Sequence, residues 1–469
     1  MTRYNDTIDR KLILSILATG VMSFAGVLIE TAMNVTFPTL MTEFGIGTSL
    51  VQWITTGYLL VLAIIIPASS FLKRRFTSKS LFIAATSFFL AGTLLCAAAP
   101  TFCLLLFGRI IQGIGTGIAL PLMFNIVLEQ VPINKLGFMM GVASLITAVA
   151  PAVGPSLGGL IAHAFGWRMI FIALIPFLLA AFIMGIVSIR QVKPTENIPF
   201  EFTGYVLVAI SFTCFIFGTS MASTCGWVSL QVIGLLSISI AAIILFYRRC
   251  EKLASPLLRV QVFHNTGFVV SMLVLVLLQL TILALGFLIP NYAQIVSGEN
   301  PFVAGCLLLP GCLVGAILAP VGGKIFDLFG AKKPIMLGNV FMVAATALFA
   351  LLAHKTTPLL LMLMHLCFSI GLGFTIGNTI TNGLRQLPAD VTTDGNAVVN
   401  TLQQLAGAIG TSVAASIVAS AQVGAIDTFA KATMRGSQHA FILLFVFSVA
   451  AFALSWLVFQ TIKRHTVPG

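Results

Sequence analysis

Two charges stand inside apolar stretches where a membrane-spanning sequence should carry none. Glu30 lies in Ile29-Glu30-Thr31-Ala32-Met33-Asn34, and Arg109 in Gly108-Arg109-Ile110-Ile111-Gln112. A carboxylate in such a stretch is costly, and its default reading is functional: it takes up and releases a proton, or it holds a cation. Arginine stays charged at any ordinary pH, so at that depth it positions or tunes a partner. A structural ion pair locking two helices is the plainer reading. Proton titration is the expectation for Glu30, with Arg109 in a mixed positioning and proton-coupling role. Asn34 lies one turn from Glu30 on the same helical face, which makes it a candidate for a cavity wall or for an interhelical hydrogen bond. His365, in a third apolar stretch, is a candidate proton relay, or else a hydrogen-bonded packing residue.

These residues stand out because charge is scarce. Of 469 residues only 38 are Asp, Glu, Lys or Arg, or 8%, while 58% are hydrophobic and the mean hydropathy is +1.07. A soluble domain carries roughly 25% charge, so a soluble globular enzyme is excluded. Apolar runs follow one another at 12–36, 49–71, 80–99, 101–128, 136–162, 168–190, 203–223, 227–247, 266–292, 302–322, 333–353, 357–384, 396–421 and 438–461. Each is long enough for a transmembrane helix and far too long for a barrel strand. The expected fold is therefore all-α and polytopic, with fourteen spans and both termini on one side.

Basic residues test this register, because cytoplasmic loops collect Lys and Arg. With the N-terminus inside, the inside segments hold 20 of the 25 basic residues: Arg3, Arg10, Lys11, Lys73, Arg74, Arg75, Lys79, Lys135, Arg190, Lys193, Arg248, Arg249, Lys252, Arg259, Lys324, Lys332, Lys333, Arg385, Lys463 and Arg464. Only Arg168, Lys355, Lys431 and Arg435 fall outside, and Arg109 lies within a span. One miscounted span would scramble that split. It accounts for the net charge of +12 without nucleic acid, for which no soluble basic domain is available. On this topology Glu30 lies ~9–15 Å from the outer end of span 1, and Arg109 and His365 each lie ~12 Å below the outer surface, at 1.5 Å per residue. Glu30 and Arg109 can thus share one level. The first span exceeds a signal-peptide core and lacks a clear cleavage site, so it is expected to stay uncleaved.

An internal repeat gives the architecture. Ser70-Phe-Leu-Lys-Arg74-Arg75-Phe-Thr77-Ser-Lys79 follows span 2, and Gly323-Lys-Ile-Phe-Asp327-Leu-Phe-Gly330-Ala-Lys332 follows span 10, at a constant offset of 253 residues. A shift of eight spans implies 6 + 2 + 6: an N-terminal six-helix half at 1–195, two inserted helices with linkers at 196–260, and a C-terminal six-helix half at 261–469. Parallel halves of this kind belong to transporters. Span 4 continues as Gln112-Gly113-Ile-Gly115-Thr-Gly117, whose small residues admit a close helix or a passing substrate. Span 5 carries Pro151-Ala-Val-Gly154-Pro155-Ser-Leu-Gly158-Gly159, in which Gly154 and Gly158 form a GxxxG packing pair and Pro155 removes a backbone hydrogen bond. The eight cysteines are scattered without CxxC or Cys/His clusters, so neither a disulfide framework nor a metal site is indicated. HExxH, GxGD and paired intramembrane aspartates are absent, which argues against an intramembrane enzyme; no catalytic residue and no cofactor is expected. Without a soluble effector domain, a sensor or scaffold is also disfavoured.

With these motifs in place, the chain resembles the major facilitator superfamily, and within it the fourteen-span drug:proton antiporters. Gly108-Arg109-Ile-Ile-Gln112-Gly113-Ile-Gly115 resembles that family's span-4 motif, whose arginine is implicated in proton coupling. Gly154-Pro155-Ser-Leu-Gly158-Gly159 resembles the span-5 motif associated with exporters. Ile29 to Pro38 resembles the family's span-1 signature and Gln52-Trp53-Ile-Thr-Thr56-Gly-Tyr58 the start of its span 2, and similar segments recur later (Pro290-Asn-Tyr292-Ala-Gln294, and Gly395 to Gln404). The resemblance implies a proton-coupled efflux antiporter for small amphipathic compounds, multi-pass in the cytoplasmic membrane, working by alternating access as a monomer. Its partners would be a small-molecule substrate, protons and the lipid bilayer. Export of a metabolite, siderophore or peptide-like compound is the alternative. The expected cavity wall comprises Asn34, Gln52, Trp53, Tyr58, Tyr292, Gln294 and Gln404. Gly113, Gly154, Pro155, Gly158, Gly159, Gly323, Asp327 and Gly330 are the expected packing and gating positions. Two departures matter. The span-1 acid is usually Asp, whereas here it is Glu30. The first loop has Ser70, Arg74 and Thr77 where the family has Gly, Asp and Gly, which puts its ion-pair latch in doubt, while the second copy keeps Gly323, Asp327 and Gly330. Span 10 carries no second acid, which points to one proton site and to substrates that are not dications.

Overall fold

The computed structural model describes residues 9–192, 194–195, 200–226, 228–253, 260–388, 391–423 and 428–465. Arg3, Lys193 and Arg259 of the topology count lie outside them, as do residues 196–199 and 254–259 beside the expected domain boundaries. The side chains of Ser70, Lys135, Lys463 and Arg464 also lie outside the described set.

Among the described residues there is no strand. The chain forms α1 (Arg10–Phe44), α2 (Thr48–Ala68), α3 (Ser78–Ala97), α4 (Phe102–Gln130), α5 (Ile133–Phe165), α6 (Arg168–Ser188) and α7 (Phe202–Cys225). It continues as α8 (Leu230–Lys252), α9 (Thr266–Ile295), α10 (Pro301–Phe329), α11 (Lys332–Leu352), α12 (Pro358–Leu384), α13 (Thr392–Gln422) and α14 (Phe429–His465). Thirteen of these contain a stretch long and apolar enough to cross a membrane. The exception is α5, whose described apolar stretch is the shorter Val149–Phe165, so the structure shows thirteen such helices against an expected fourteen.

The ends of the helices follow from local chemistry. Side-chain oxygens of Asp9, Thr77, Thr101, Asn265 and Thr357 accept hydrogen bonds from the otherwise unpaired backbone N–H groups of α1, α3, α4, α9 and α12. Gly45 and Gly330 take φ of 63° and 78° just past α1 and α10, which L side chains adopt poorly. α1 is not uniform: Met33–Thr36 tightens into a 3-10 turn, because Pro38 supplies no N–H to Asn34 two turns above Gly26.

Helix packing repeats with a shift of eight. α1 packs on α4, α5 and α6, and α9 packs on α12, α13 and α14. α4 packs on α2 and α3, and α12 packs on α10 and α11. The α3–α6 contact recurs as α11–α14. The two sets meet through a reciprocal pair of seams, α2–α13 and α5–α10. α7 and α8 pair with each other, and α7 lies against both α2 and α13. The first repeat's α2 is held to α7 by the Trp53 ring, tilted against Phe217 with centroids 4.5 Å apart, and by Gln52 Nε2 donating to Ser220 Oγ at 3.1 Å.

Ion pairs mark one end of the bundle, termed here the basic end: Arg190–Asp9 (2.9 Å), Lys73–Glu129 (2.6 Å), Arg249–Glu201 (2.5 Å) and Arg385–Asp327 (3.8 Å). At the far end, Glu43 accepts from Arg168 and from the Trp167 indole, both at 2.7 Å.

Candidate functional site

Between the two sets of helices lies a cavity of about 340 Å³, lined by α1, α5, α9, α10, α12 and α13. Its wall is mostly apolar with a few convergent polar groups, the usual composition of a small-molecule site. Glu30 supplies the one carboxylate among the described lining residues. The side chain is 7% exposed, and among the described residues nothing hydrogen-bonds or ion-pairs with it, so its oxygens face the cavity.

Arg109 lies beside it but turns away. It is fully buried. Its Nε donates to the Ile54 carbonyl (3.2 Å) and its Nη1 to Gln112 Oε1 (2.9 Å), with Gln112 held in turn by Thr93 (2.8 Å). The guanidinium sits 4.1 Å over the Tyr58 ring, a cation–π contact. The Tyr58 hydroxyl reaches the Gly26 carbonyl at 2.9 Å and the Thr116 hydroxyl at 2.7 Å. Arg109 therefore reaches the Glu30 helix through Tyr58 and Gly26, one turn before Glu30. A direct ion pair is not formed. Arg109 Nη2 has no partner among the described residues.

Of the expected wall residues, the structure places Asn34 and Gln404 on the cavity, with Pro155 and His365 beside them. Asn34 is fixed there by Thr55, whose hydroxyl donates to Asn34 Oδ1 at 2.7 Å. The other five lie elsewhere. Gln52 and Trp53 face α7. Tyr58 serves the Arg109 network. Tyr292 donates to the Ala353 carbonyl, and Gln294 donates to the Val35 carbonyl at 2.8 Å. Gln52, Tyr58, Tyr292 and Gln294 share a cause: a polar tip inside a bundle is stabilised by the nearest backbone or side-chain partner, and each found one on another helix, whereas Trp53 packs its ring on Phe217. Gln279, Thr31 and Ser369 line the cavity and were not singled out from the sequence. Gln279, an amide midway along the apolar span 9, is the one of these that sequence could have flagged.

The glycine positions are packing contacts. A Cβ on Gly154 would meet Thr31, and one on Gly158 would lie 2.7 Å from Ala32 Cβ, so the GxxxG pair seats α5 on α1. Gly113 and Gly117 abut Val61 and Ile65 of α2, and Gly115 abuts the Ala85 carbonyl of α3. The span-4 glycines thus hold helices and do not line a passage. Gly159 faces the Pro301 carbonyl across the α5–α10 seam. At the basic end Gly330 stops α10, Gly323 meets open space and Asp327 pairs loosely with Arg385. The latch doubted for the first repeat is present in reversed polarity. Lys73, just past α2, pairs with Glu129 at the end of α4, where the second repeat has Asp327 on α10 and Arg385 past α12.

Among the described residues no three His, Cys, Asp or Glu side chains converge so as to hold a metal ion. A cavity at the junction of two like-built helix sets, walled by apolar residues around one unpaired carboxylate, defines a membrane transporter and not an enzyme. Residues 19–411 match the Major Facilitator Superfamily, and the chain belongs to it. It is 36% identical over 449 residues to the lincomycin resistance protein LmrB of Bacillus subtilis (strain 168), covering 93% of each chain. It is 27% identical to a multidrug resistance protein B homolog of Mycobacterium tuberculosis, covering 82% of this chain and 72% of that one. In fold it matches a bacterial homolog of the human lysosomal transporter Spinster, solved inward-facing and unoccupied, with a TM-score of 0.71 at 15% identity over 98% of this chain and 99% of that one.

Proposed function

We propose that the protein is a proton-coupled exporter of small amphipathic compounds, working by alternating access between two six-helix halves of a fourteen-span fold, 1–195 and 261–469, with α7 and α8 inserted at 196–260. The observation that carries this reading is the unpaired Glu30 carboxylate in the cavity wall. Relatives named for resistance to lincomycin and to multiple drugs supply the substrate class. The basic end faces the cytoplasm, with both termini there, following the Lys/Arg bias. The chain works as a monomer.

The mechanism uses the geometry directly. A proton arriving from outside neutralises Glu30, which lowers the cost of holding that side chain in an apolar wall and favours opening to the cytoplasm. Drug entering from the cytoplasm or inner leaflet occupies the cavity, and Glu30 releases its proton inward. Coupling requires only that drug and proton bias the same equilibrium in opposite directions. Arg109 cannot leave its anchors at Ile54, Gln112 and Tyr58, so it is a fixed charge that governs how readily Glu30 holds its proton. Pro155 and Gly159 supply the close α5 surface against α10 that the two halves rock upon, while Gly154 and Gly158 hold α5 to α1 within its own half.

The test is Glu30→Gln in proteoliposomes under an imposed pH gradient. Drug efflux driven by the gradient should vanish at normal expression; full retained activity refutes the reading.

A further inference from the structure

His365 is the one imidazole on the described cavity wall, and the mechanism above leaves it unused. It comes from α12 into the wall that also holds Ser369 and Cys312, on the second repeat, while Glu30, Thr31 and Asn34 come from the first. The imidazole is 7% exposed, and its Nδ1 is buried without a hydrogen-bond partner among the described residues. That nitrogen is sealed against α10 at Gly311: a Cβ there would lie 2.5 Å from it. Phe368 stacks alongside with ring centroids 6.5 Å apart.

The repeat gives this position a meaning. α4 and α12 are both capped by a threonine, Thr101 and Thr357, and counting from those caps Arg109 and His365 hold the same place. The correspondence continues: Gly115 and Gly371 pack on α3 and α11, and Gly117 and Gly373 pack on α2 and α10. His365 is therefore the repeat mate of Arg109. Arg109 is tied to Ile54 of α2 and to Gln112, whereas His365 has no such anchors and borders the cavity. With Nδ1 sealed and unpaired, the cheaper tautomer leaves Nδ1 bare and puts the hydrogen on Nε2, since a bare acceptor costs less to bury than a stranded N–H. Nε2 is the nitrogen left to face the cavity.

We propose that His365 Nε2–H is a hydrogen-bond donor to the transported compound, so that the cavity selects molecules carrying a carbonyl, hydroxyl or ether acceptor on the side away from Glu30. This rests on the reading of the cavity as the transport site. It makes His365 a specificity-determining residue and not a proton carrier.

The test is equilibrium binding to the full-length protein in nanodiscs, at pH 6 and pH 8. Two probes are used: lincomycin, which carries an amide carbonyl and hydroxyls, and tetraphenylphosphonium, a cation without such acceptors. His365→Phe should weaken lincomycin binding about tenfold, the effect of one lost hydrogen bond, and leave tetraphenylphosphonium binding within twofold. His365→Gln, which restores a donor, should recover most of the lincomycin affinity and keeps the test available if the Phe variant folds poorly. Equal losses for both probes, no loss for either, or a changed pH dependence for both would overturn the proposal. A wild-type protein that binds neither probe refutes the reading of the cavity itself.

Discussion

Gly159→Ala should shift the protein toward a state open at the far end. Gly159 of α5 faces the Pro301 carbonyl of α10, and Gly305 of α10 faces the Pro155 carbonyl of α5. The seam is thus a reciprocal backbone-on-backbone contact. A methyl group at 159 would overlap main chain, which cannot rotate aside as a side chain can. Overpacking of this kind costs about 1–3 kcal/mol. The cost applies only where the seam is closed. Taking about 2 kcal/mol, the closed-to-open ratio should fall about 30-fold, at tenfold per 1.4 kcal/mol.

Polar contacts between the repeats at the same end, Gln294 to the Val35 carbonyl and Thr48 to Gln422 at 2.8 Å each, close and open with the seam. The assay is double electron–electron resonance between spin labels replacing Phe165 and Leu359. Both are well exposed at the far ends of α5 and α12, and the native cysteines would be replaced. The longer-distance population should rise with Gly159→Ala and with Gly305→Ala, and efflux should slow. Gly377→Ala is the control, since a Cβ there meets nothing within 4 Å. An unchanged distance distribution in both seam variants, or an equal change in the control, refutes the reasoning.

Two further outcomes follow from the ion networks. Lys73 and Glu129 are only 11% and 14% exposed at 2.6 Å, so Lys73→Glu or Glu129→Lys alone should lower thermal stability and efflux, and the exchanged double variant should recover roughly 0.5–3 kcal/mol of coupling in a double-mutant cycle; additive losses in the thermal-shift cycle would disprove the latch. Arg109→Lys keeps the charge but abandons the planar donors to Ile54 and Gln112 and the stacking on Tyr58, and should cost about 1.5–3 kcal/mol, read as a lower melting temperature together with a displaced pH profile of efflux; wild-type values for both would show that the network does not position the charge.

Much of the frame was legible in the sequence because its physics is local. Apolar run length gives the helices, and the caps at Asp9, Thr101 and Thr357 and the stop at Gly330 are equally local chemistry. Glu30 was legible for the same reason: one carboxylate in a long apolar stretch needs no neighbour to be conspicuous. The cavity wall was harder. Helical periodicity tells which residues share a face but not which neighbour that face meets. Tyr292 and Gln294 look suited to a binding site, yet their tips are taken up by the backbone at Ala353 and Val35, residues distant in sequence. Gln52 and Trp53 were hidden for another reason: α7 covers their face of α2, and nothing in α2 announces α7.

The reversed ion pair shows where reading by residue type fails and reading by physics does not. Searching the first loop for the acid found in the second returns Arg74, and the latch looks lost. Coulomb attraction depends on the product of two charges, so what the junction of α2 with α4 requires is opposite signs at contact distance and not an acid on a given helix. Lys73 with Glu129 meets that requirement as well as Asp327 with Arg385, and being less exposed it holds more tightly. The repeat thus conserves an interaction whose chemistry can be inverted. Arg109 and His365 extend the point inward. The fold gives both the same address on α4 and α12, but only the first has a carbonyl, an amide and a tyrosine arranged around it. An anchored cation can do no more than set the local field at Glu30, whereas an imidazole with one sealed nitrogen has its other nitrogen left for a ligand. On the proposed mechanism, two equivalent frames thus divide the labour of coupling and recognition, by what surrounds each position more than by what occupies it.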